Sequence, residues 1–367
     1  MADLALFYYG LLGFAILLYV ILDGFDLGIG VLYGWFADEH ERDVLMKSVA
    51  PVWDGNETWL VFGGVVLLAA FPSAYAGLLS ALYLPVVLML VGLIFRGVAF
   101  EYRFKSKRSK HWWNRAFAIG SVLAAACQGL MLGVVVHGLP AADASSLALF
   151  SPLSLLTMVA VPAAYALLAS CYLILKCQAP IQARAAQLAQ PLLLSVAAAV
   201  VAVLAWHYSQ QDLPNRWQML ALLVAVCAGF WLWWQLRAFC QLVPSHHHVN
   251  MHDDDTSMRA QTPPAHADTT STNVQSAPPR LTQSSRQERL PFWTTVLAMS
   301  AVFVSLLAGL FPDIIPGQLT YLQAAAPLSS LQFMLVGVLL FLPLILTYTC
   351  WGYRIFTGKV EQWPEGY

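Results

Sequence analysis

Nine apolar stretches, near residues 5–36, 56–72, 78–100, 116–137, 153–175, 190–208, 217–242, 292–312 and 331–356, dominate this chain. Each approaches the roughly 20 residues that a helix needs to cross a hydrocarbon core of about 30 Å. Of its 367 residues, 59% are hydrophobic and only 11% charged. A soluble domain carries about 25% charged residues, so this much apolar surface cannot be hidden in a globule. The expectation is an all-α, polytopic membrane protein with the lipid bilayer as solvent. A net charge of -1 excludes the basic surface that a nucleic-acid partner requires. The first apolar run passes into a polar motif with no small-residue cleavage site, so it reads as a retained helix rather than a signal peptide.

Basic residues set an orientation. Every Lys and Arg except Arg216 falls on alternate connections, including Arg42, Lys47, the run from Arg96 to Arg115, Lys176, Arg184, Arg237, Arg354 and Lys359. The positive-inside bias then places the amino terminus outside and the carboxyl terminus in the cytoplasm, with an odd number of spans. Trp35, Trp112, Trp113, Trp217, Trp293 and Trp363 near the span ends suit interfacial belts. Pro85, Pro162 and Pro343 fall inside the spans and are expected to mark kinks.

Residues 244–290 break the pattern with His246–His248, Asp253–Asp255 and many Ser, Thr, Gln and Pro. Such a segment cannot bury enough surface to offset its ordering entropy, so it reads as a disordered cytoplasmic loop. It separates a first group of seven spans (1–243) from two more and a tail (291–367). The histidine run with His252 has the makings of a weak transition-metal site, but a solvated linker is the simpler reading.

The chemistry concentrates in 22–30, LDGFDLGIG, and 51–60, PVWDGNETWL. Asp23, Asp26, Asp54 and Glu57 sit inside or at the lip of apolar helices, where an acid costs about 2.5–3.5 kcal/mol on insertion scales. Asp23 and Asp26 are three apart, as are Asp54 and Glu57, so each pair shares a helix face. The third span ends in FRGVAFEYR, which brings Arg96 and Glu101 to the same cytoplasmic level. Six ionisable groups from three consecutive spans are thus expected to meet at one depth. One reading is packing, with Arg96 tying the acids together. The other is a cytoplasmic proton entry, because five acids outnumber one base and the surplus can take up and pass protons. Trp53 and Trp59 flank the second acid pair, either as walls of a polar path or as interface anchors. Gly24, Gly28, Gly30 and Gly34 are spaced for close helix approach.

Ligands for a cofactor are scarce. Outside the loop the histidines are His40 and His111 in polar connections and His137 and His207 near the outer ends of the fourth and sixth spans. His137 and His207 facing each other would leave a single haem ligand open, although edge histidines are more simply hydrogen-bonded. The six cysteines form no CxxC and suggest neither zinc nor a redox dithiol; they read as inert packing residues.

These residues also carry a resemblance. LDGFDLGIG, PVWDGNETWLVFGG, AAFPSAY, SALYLPVVLMLVGLIFRGVAFEYRFK and AYALLASCYLILK resemble subunit II of cytochrome bd-type quinol oxidases, with a flavour similar to the cyanide-insensitive branch. The likeness covers roughly 1–242 and 292–367. The 244–290 insert departs from it, as does Glu57, where other members often carry Gln. The resemblance implies a nine-helix fold of two four-helix bundles plus a peripheral helix, in a bacterial inner membrane. It implies a pseudo-symmetric heterodimer with a subunit I that holds haems b and d and oxidises quinol, often with a small single-helix third subunit. Subunit II then supports assembly and leads cytoplasmic protons, and in some members dioxygen, toward the haem site. By motif, Asp54 and Glu101 correspond to proton-path positions and Trp59 to the path's wall; a quinone bound by this subunit has no assignable residues. An ion-coupled transporter or a purely structural assembly subunit are the alternatives.

Overall fold

The computed structural model describes residues 1–106, 108–140, 146–210, 214–242 and 285–362. In chain order the elements are α1 (Ala2–Leu32), α2 (Glu39–Val49), α3 (Trp53–Ala70), α4 (Pro72–Ala81), α5 (Tyr83–Arg103), α6 (Lys110–His137), α7 (Pro152–Lys176), α8 (Ile181–Gln210), α9 (Arg216–Leu242) and α10 (Ser285–Leu310). A two-stranded antiparallel hairpin, β1 (Asp313–Ile315) and β2 (Leu319–Thr320), leads into α11 (Tyr321–Ala324) and α12 (Leu328–Ile355). Among the described residues, eight helices are long and apolar enough to cross a bilayer: α1, α5, α6, α7, α8, α9, α10 and α12. The chain is therefore a helical, multi-pass membrane protein. Most of the expected loop, with His246–His248, His252 and Asp253–Asp255, lies outside the described residues, as does Trp363.

α1 is the hub, packing against α3, α6, α7 and α10. α5, α6 and α7 follow one another side by side, and α7 continues into contact with α8 and α10. α3 packs between α1 and α12. The faces that remain apolar point outward: Val61 and Val65 on α3, Ile94 and Phe95 on α5, and Phe333, Leu340 and Leu344 on α12 are exposed. In water that surface would aggregate; in a bilayer or against another subunit it is satisfied.

Glycine decides how near α1 comes to its neighbours. A Cβ on Gly28 would overlap the Tyr165 carbonyl of α7, and one on Gly24 would meet the Tyr165 ring at 2.9 Å. A Cβ on Gly30 would collide with Ser121 of α6. Gly34 does not share this role: it lies beyond α1 with open space around it. Pro85 likewise differs from expectation. It occupies the first turn of α5, where its missing N–H forfeits no intrahelical bond, whereas Pro162 and Pro343 are inside α7 and α12.

The amphipathic α2 caps one end of the bundle. Asp38 accepts from the Glu41 backbone N–H at its start, and Glu39 and Glu41 in the first turn and Lys47 in the last complement the helix dipole. Its acids meet a buried base. Arg103, fully buried at the end of α5, donates to Asp43 at 2.5 Å, to Glu39 at 3.2 Å and to the Asn114 side chain at 2.5 Å. Lys110 adds an ion pair to Asp43 at 2.9 Å, and the Tyr33 hydroxyl donates to Asn114 at 3.0 Å. This clasp holds α2 over the junction of α1, α5 and α6.

Two outcomes are expected. Gly28→Ala lowers the thermal stability of the detergent-solubilised protein by about 1–3 kcal/mol through overpacking, whereas Gly10→Ala, with nothing within 4 Å, is nearly neutral. Burial works against the charges on Asp43 and Glu39. Even so, hydrogen bonds from Lys110 and Arg103 to Asp43, and from Arg42 to Glu39 with the nearby Arg103 and Lys110 charges, hold both carboxyls below their ordinary range. Carboxyls depressed on folding contribute stability above their unfolded values and lose it as pH falls through the folded ones. Melting curves taken at stepwise lower pH therefore show an acid-side loss in the wild type that is reduced in Arg103→Gln.

Candidate functional site

α1 carries Asp23 and Asp26 three residues apart in its interior, and both are fully buried. α3 begins at Trp53, after the turn that follows α2, so Asp54 falls in its first turn and Glu57 one turn on. Negative charge is favoured at that helix start by the dipole. α5 sends Arg96 into the same space, also fully buried. Its Nη2 donates to Asp23 Oδ1 and forms an ion pair with Glu57 at 2.8 Å. Asp26 receives a hydrogen bond from the Asn56 amide at 2.7 Å, and the same amide reaches the Leu22 carbonyl at 3.2 Å. The Tyr353 hydroxyl of α12 donates to Asn56 Oδ1 at 2.8 Å.

Four of the six expected groups therefore meet: Asp23, Asp26, Glu57 and Arg96. The Glu57 side chain is 26% exposed and forms the outlet of the buried set. Asp54 is exposed beside it, within Coulombic reach of Glu57. Glu101 stands apart. It is exposed on the last turn of α5 and pairs with Lys105 at 3.2 Å, because five residues after Arg96 the helix has turned it to the opposite side.

Aromatic rings wall the cluster. The Arg96 guanidinium lies 5.5 Å from the Trp53 ring centre, and Trp53 stacks on Phe100 at 5.2 Å. Trp59 is fully buried against Ala15 and Tyr19 of α1 and the α12 residues Leu342, Ile345 and Leu346. Its ring meets Phe14 and Phe62 edge-on, each at 5.9 Å, and its indole N–H has no acceptor. Asp23 Oδ2, Asp26 Oδ1 and Arg96 Nε and Nη1 also lack hydrogen-bond partners. Buried polar atoms with spare hydrogen-bonding capacity distinguish this cluster from the clasp around Arg103, whose donors are matched to acceptors.

Asn56, Tyr353 and Tyr19 were not singled out by sequence. Asn56 had a signal, since it lies within WDGNET on the face of α3 that carries Trp59 and Trp53 three residues to either side. Tyr353 had none, being 297 residues away in the chain from its partner.

Among the described histidines, His40, His111 and His137 are exposed, and the His137 ring packs at 6.0 Å against Trp206. The His207 side chain lies outside the described residues. The cysteines are all free, with Cys227 and Cys350 exposed rather than packed inside.

Fold and site together define a polytopic helical membrane protein with an acid–guanidinium cluster sunk beneath one end of its bundle. A family model described as cytochrome bd terminal oxidase subunit II matches residues 4–248 and 272–356, and the chain belongs to that family. It is 36% identical over 133 residues to cytochrome bd-I ubiquinol oxidase subunit 2 of Escherichia coli (strain K12), a match that covers 35% of each chain. It is 32% identical over 225 residues to cytochrome bd ubiquinol oxidase subunit 2 of Bacillus subtilis (strain 168), covering 57% of this chain and 65% of that one. The matches thus span between about a third and two thirds of these relatives. The bd oxidase structure from Geobacillus thermodenitrificans aligns with a TM-score of 0.71 over 96% of this chain and 98% of that chain. At 16% identity, that likeness establishes the fold alone.

If Arg96 is what permits two or more acids to be buried, Arg96→Leu costs about 3–5 kcal/mol, the penalty of breaking a buried pair. Thermal denaturation checks this, and Asp23→Asn in the same background recovers part of the loss.

Proposed function

We propose that this chain is the non-haem subunit II of a membrane quinol:dioxygen oxidoreductase, supporting assembly and conducting cytoplasmic protons toward the haem site of subunit I. The observation that carries the reading is the buried cluster of Asp23, Asp26 and Glu57 around the single guanidinium of Arg96. Three carboxylates cannot all stay charged beside one cation in low-dielectric surroundings, so the surplus is relieved by bound protons. Such a cluster takes up and releases protons without needing a redox centre of its own. Asp54, exposed at the mouth, feeds Glu57; Asp23 and Asp26 receive from it, while Trp53 and Trp59 keep the path narrow. Glu101 with Lys105 belongs to the collecting surface around the entry.

The family likeness supports the rest of the reading. The relatives are named as subunits of ubiquinol oxidases, which points to a subunit I partner with haems b and d, quinol and dioxygen as substrates of the complex, and room for a small third subunit and a bound quinone. The haem groups supply electron transfer and dioxygen reduction; this chain binds, orients and passes protons, and so contributes to proton-motive force in aerobic respiration. In this reading α3, 18 residues long, completes a ninth crossing, and the nine helices form two four-helix bundles plus one peripheral helix. The alternation of basic residues supports a periplasmic amino terminus and a cytoplasmic carboxyl terminus in a bacterial inner membrane.

In the assembled oxidase, Asp54→Asn and Glu57→Gln are each expected to slow turnover about tenfold or more, as loss of a proton-transfer group does. Glu101→Gln slows it less, and haem content read from the visible spectrum stays normal in all three. Wild-type turnover in both Asp54→Asn and Glu57→Gln would leave assembly as this chain's only task.

A further inference from the structure

A second polar line runs from the cluster into the bundle, and it uses residues from α1, α6 and α7. The Tyr165 hydroxyl donates to Gln128 Oε1 at 2.6 Å. The other end of that amide, Nε2, donates to the Tyr19 hydroxyl oxygen at 2.8 Å. An amide whose oxygen is already taken presents only N–H groups to its next neighbour, so the order of donors along the line has one direction. The Tyr19 oxygen accepts, and its own proton is left to point elsewhere. Tyr19 precedes Asp23 by four residues on the same face of α1, which sets the two side chains beside each other. Of the two Asp23 oxygens, Oδ1 is taken by Arg96, while Oδ2 has no hydrogen-bond partner and is open to a donor.

We propose that Tyr165, Gln128 and Tyr19 form a positioning line that directs the Tyr19 hydroxyl onto Asp23 and thereby sets the pH range over which the acid cluster passes protons. The proposal rests on the proton-delivery reading and adds the residues that tune it. The line is rigid for a packing reason. Tyr165 is clamped between Gly24 and Gly28 of α1, where no Cβ fits, so its hydroxyl is held toward Gln128. Asp23 is faced by Arg96 of α5, Glu57 of α3, Tyr165 of α7, Tyr353 of α12, and Tyr19 and Asp26 of its own helix. Among these, Arg96 donates to it, and the Tyr19 hydroxyl is the neighbouring neutral donor whose proton the line leaves unspent. Losing the Tyr19 donor leaves the carboxylate less well solvated, so it holds its proton to higher pH.

The test is the pH profile of quinol oxidation in the assembled complex, with haem content as the control for assembly. Tyr19→Phe is expected to move the alkaline half-point of turnover upward by about one pH unit, the size of a hydrogen bond to a charged group. Gln128→Leu, which releases the Tyr19 rotor without removing it, moves the half-point in the same direction by less. Infrared difference spectra give a readout independent of turnover: the Asp23 carboxyl band, identified by its absence in Asp23→Asn, shifts in Tyr19→Phe. A uniform fall in rate with an unmoved profile and an unmoved band would overturn the proposal and leave the line as packing. If Asp23→Asn changes the profile while both line variants do not, the positioning role fails alone. If Asp23→Asn itself keeps the wild-type rate and profile, proton delivery through this cluster fails with it.

Discussion

A guanidinium buried without access to solvent is among the most demanding groups a membrane protein can hold, and Arg96 sets the terms for everything around it. It must be met by acids, so α1 and α3 are brought against α5 at the level of Asp23 and Glu57. The converse holds as well. Without that cation, Asp23 and Asp26 could not sit in the middle of an apolar helix. The pairing is asymmetric, however, because a third carboxyl has only the neutral amide of Asn56 for a partner. That imbalance separates this cluster from the Arg103 clasp, whose acids are met by two bases and whose donors are aligned on acceptors.

α1 serves two masters because its faces are chemically different. One carries Gly24 and Gly28 and lets α7 approach until Tyr165 lies in the groove. Another carries Asp23 and Asp26 toward α3 and α5. Close packing on the first face fixes the position of α1 against α7 and with it the placement of the second face. Helices rather than loops position Asp23, Asp26, Glu57 and Arg96.

How much of this could be read from the chain differs residue by residue. The spans were legible because apolar runs of twenty residues have few alternatives, and the acids were legible because they interrupt such runs. Asp23, Asp26, Glu57 and Arg96 were expected to converge and do. Glu101 was expected there and instead faces outward with Lys105, since proximity along a helix axis does not fix azimuth, and on this last turn of α5 it is Phe100 and Arg103 that are turned inward. Gly34 and Pro85 were misread for a related reason: each belongs to a helix end, where spacing rules for the interior do not apply. Asn56 had its place in WDGNET as a signal, whereas Tyr353, Gln128 and Tyr19 are polar residues of ordinary type, and nothing in their local sequence distinguishes a site partner from a solvated one.

By itself, the sequence determined the solvent of this protein, the approximate limits of the eight long apolar helices among the described residues, and the existence of charges that must find one another. Those follow from one-dimensional quantities, the length of apolar runs and the cost of an acid within them. Which acid meets Arg96, which is left with a neutral partner, and which is turned out to the surface were decided only when helices far apart in the chain packed together. The tertiary structure settles these because hydrogen bonding and ion pairing fall off within a few ångströms, and distances of that size between α1, α3, α5 and α12 are set by packing and not by order along the chain.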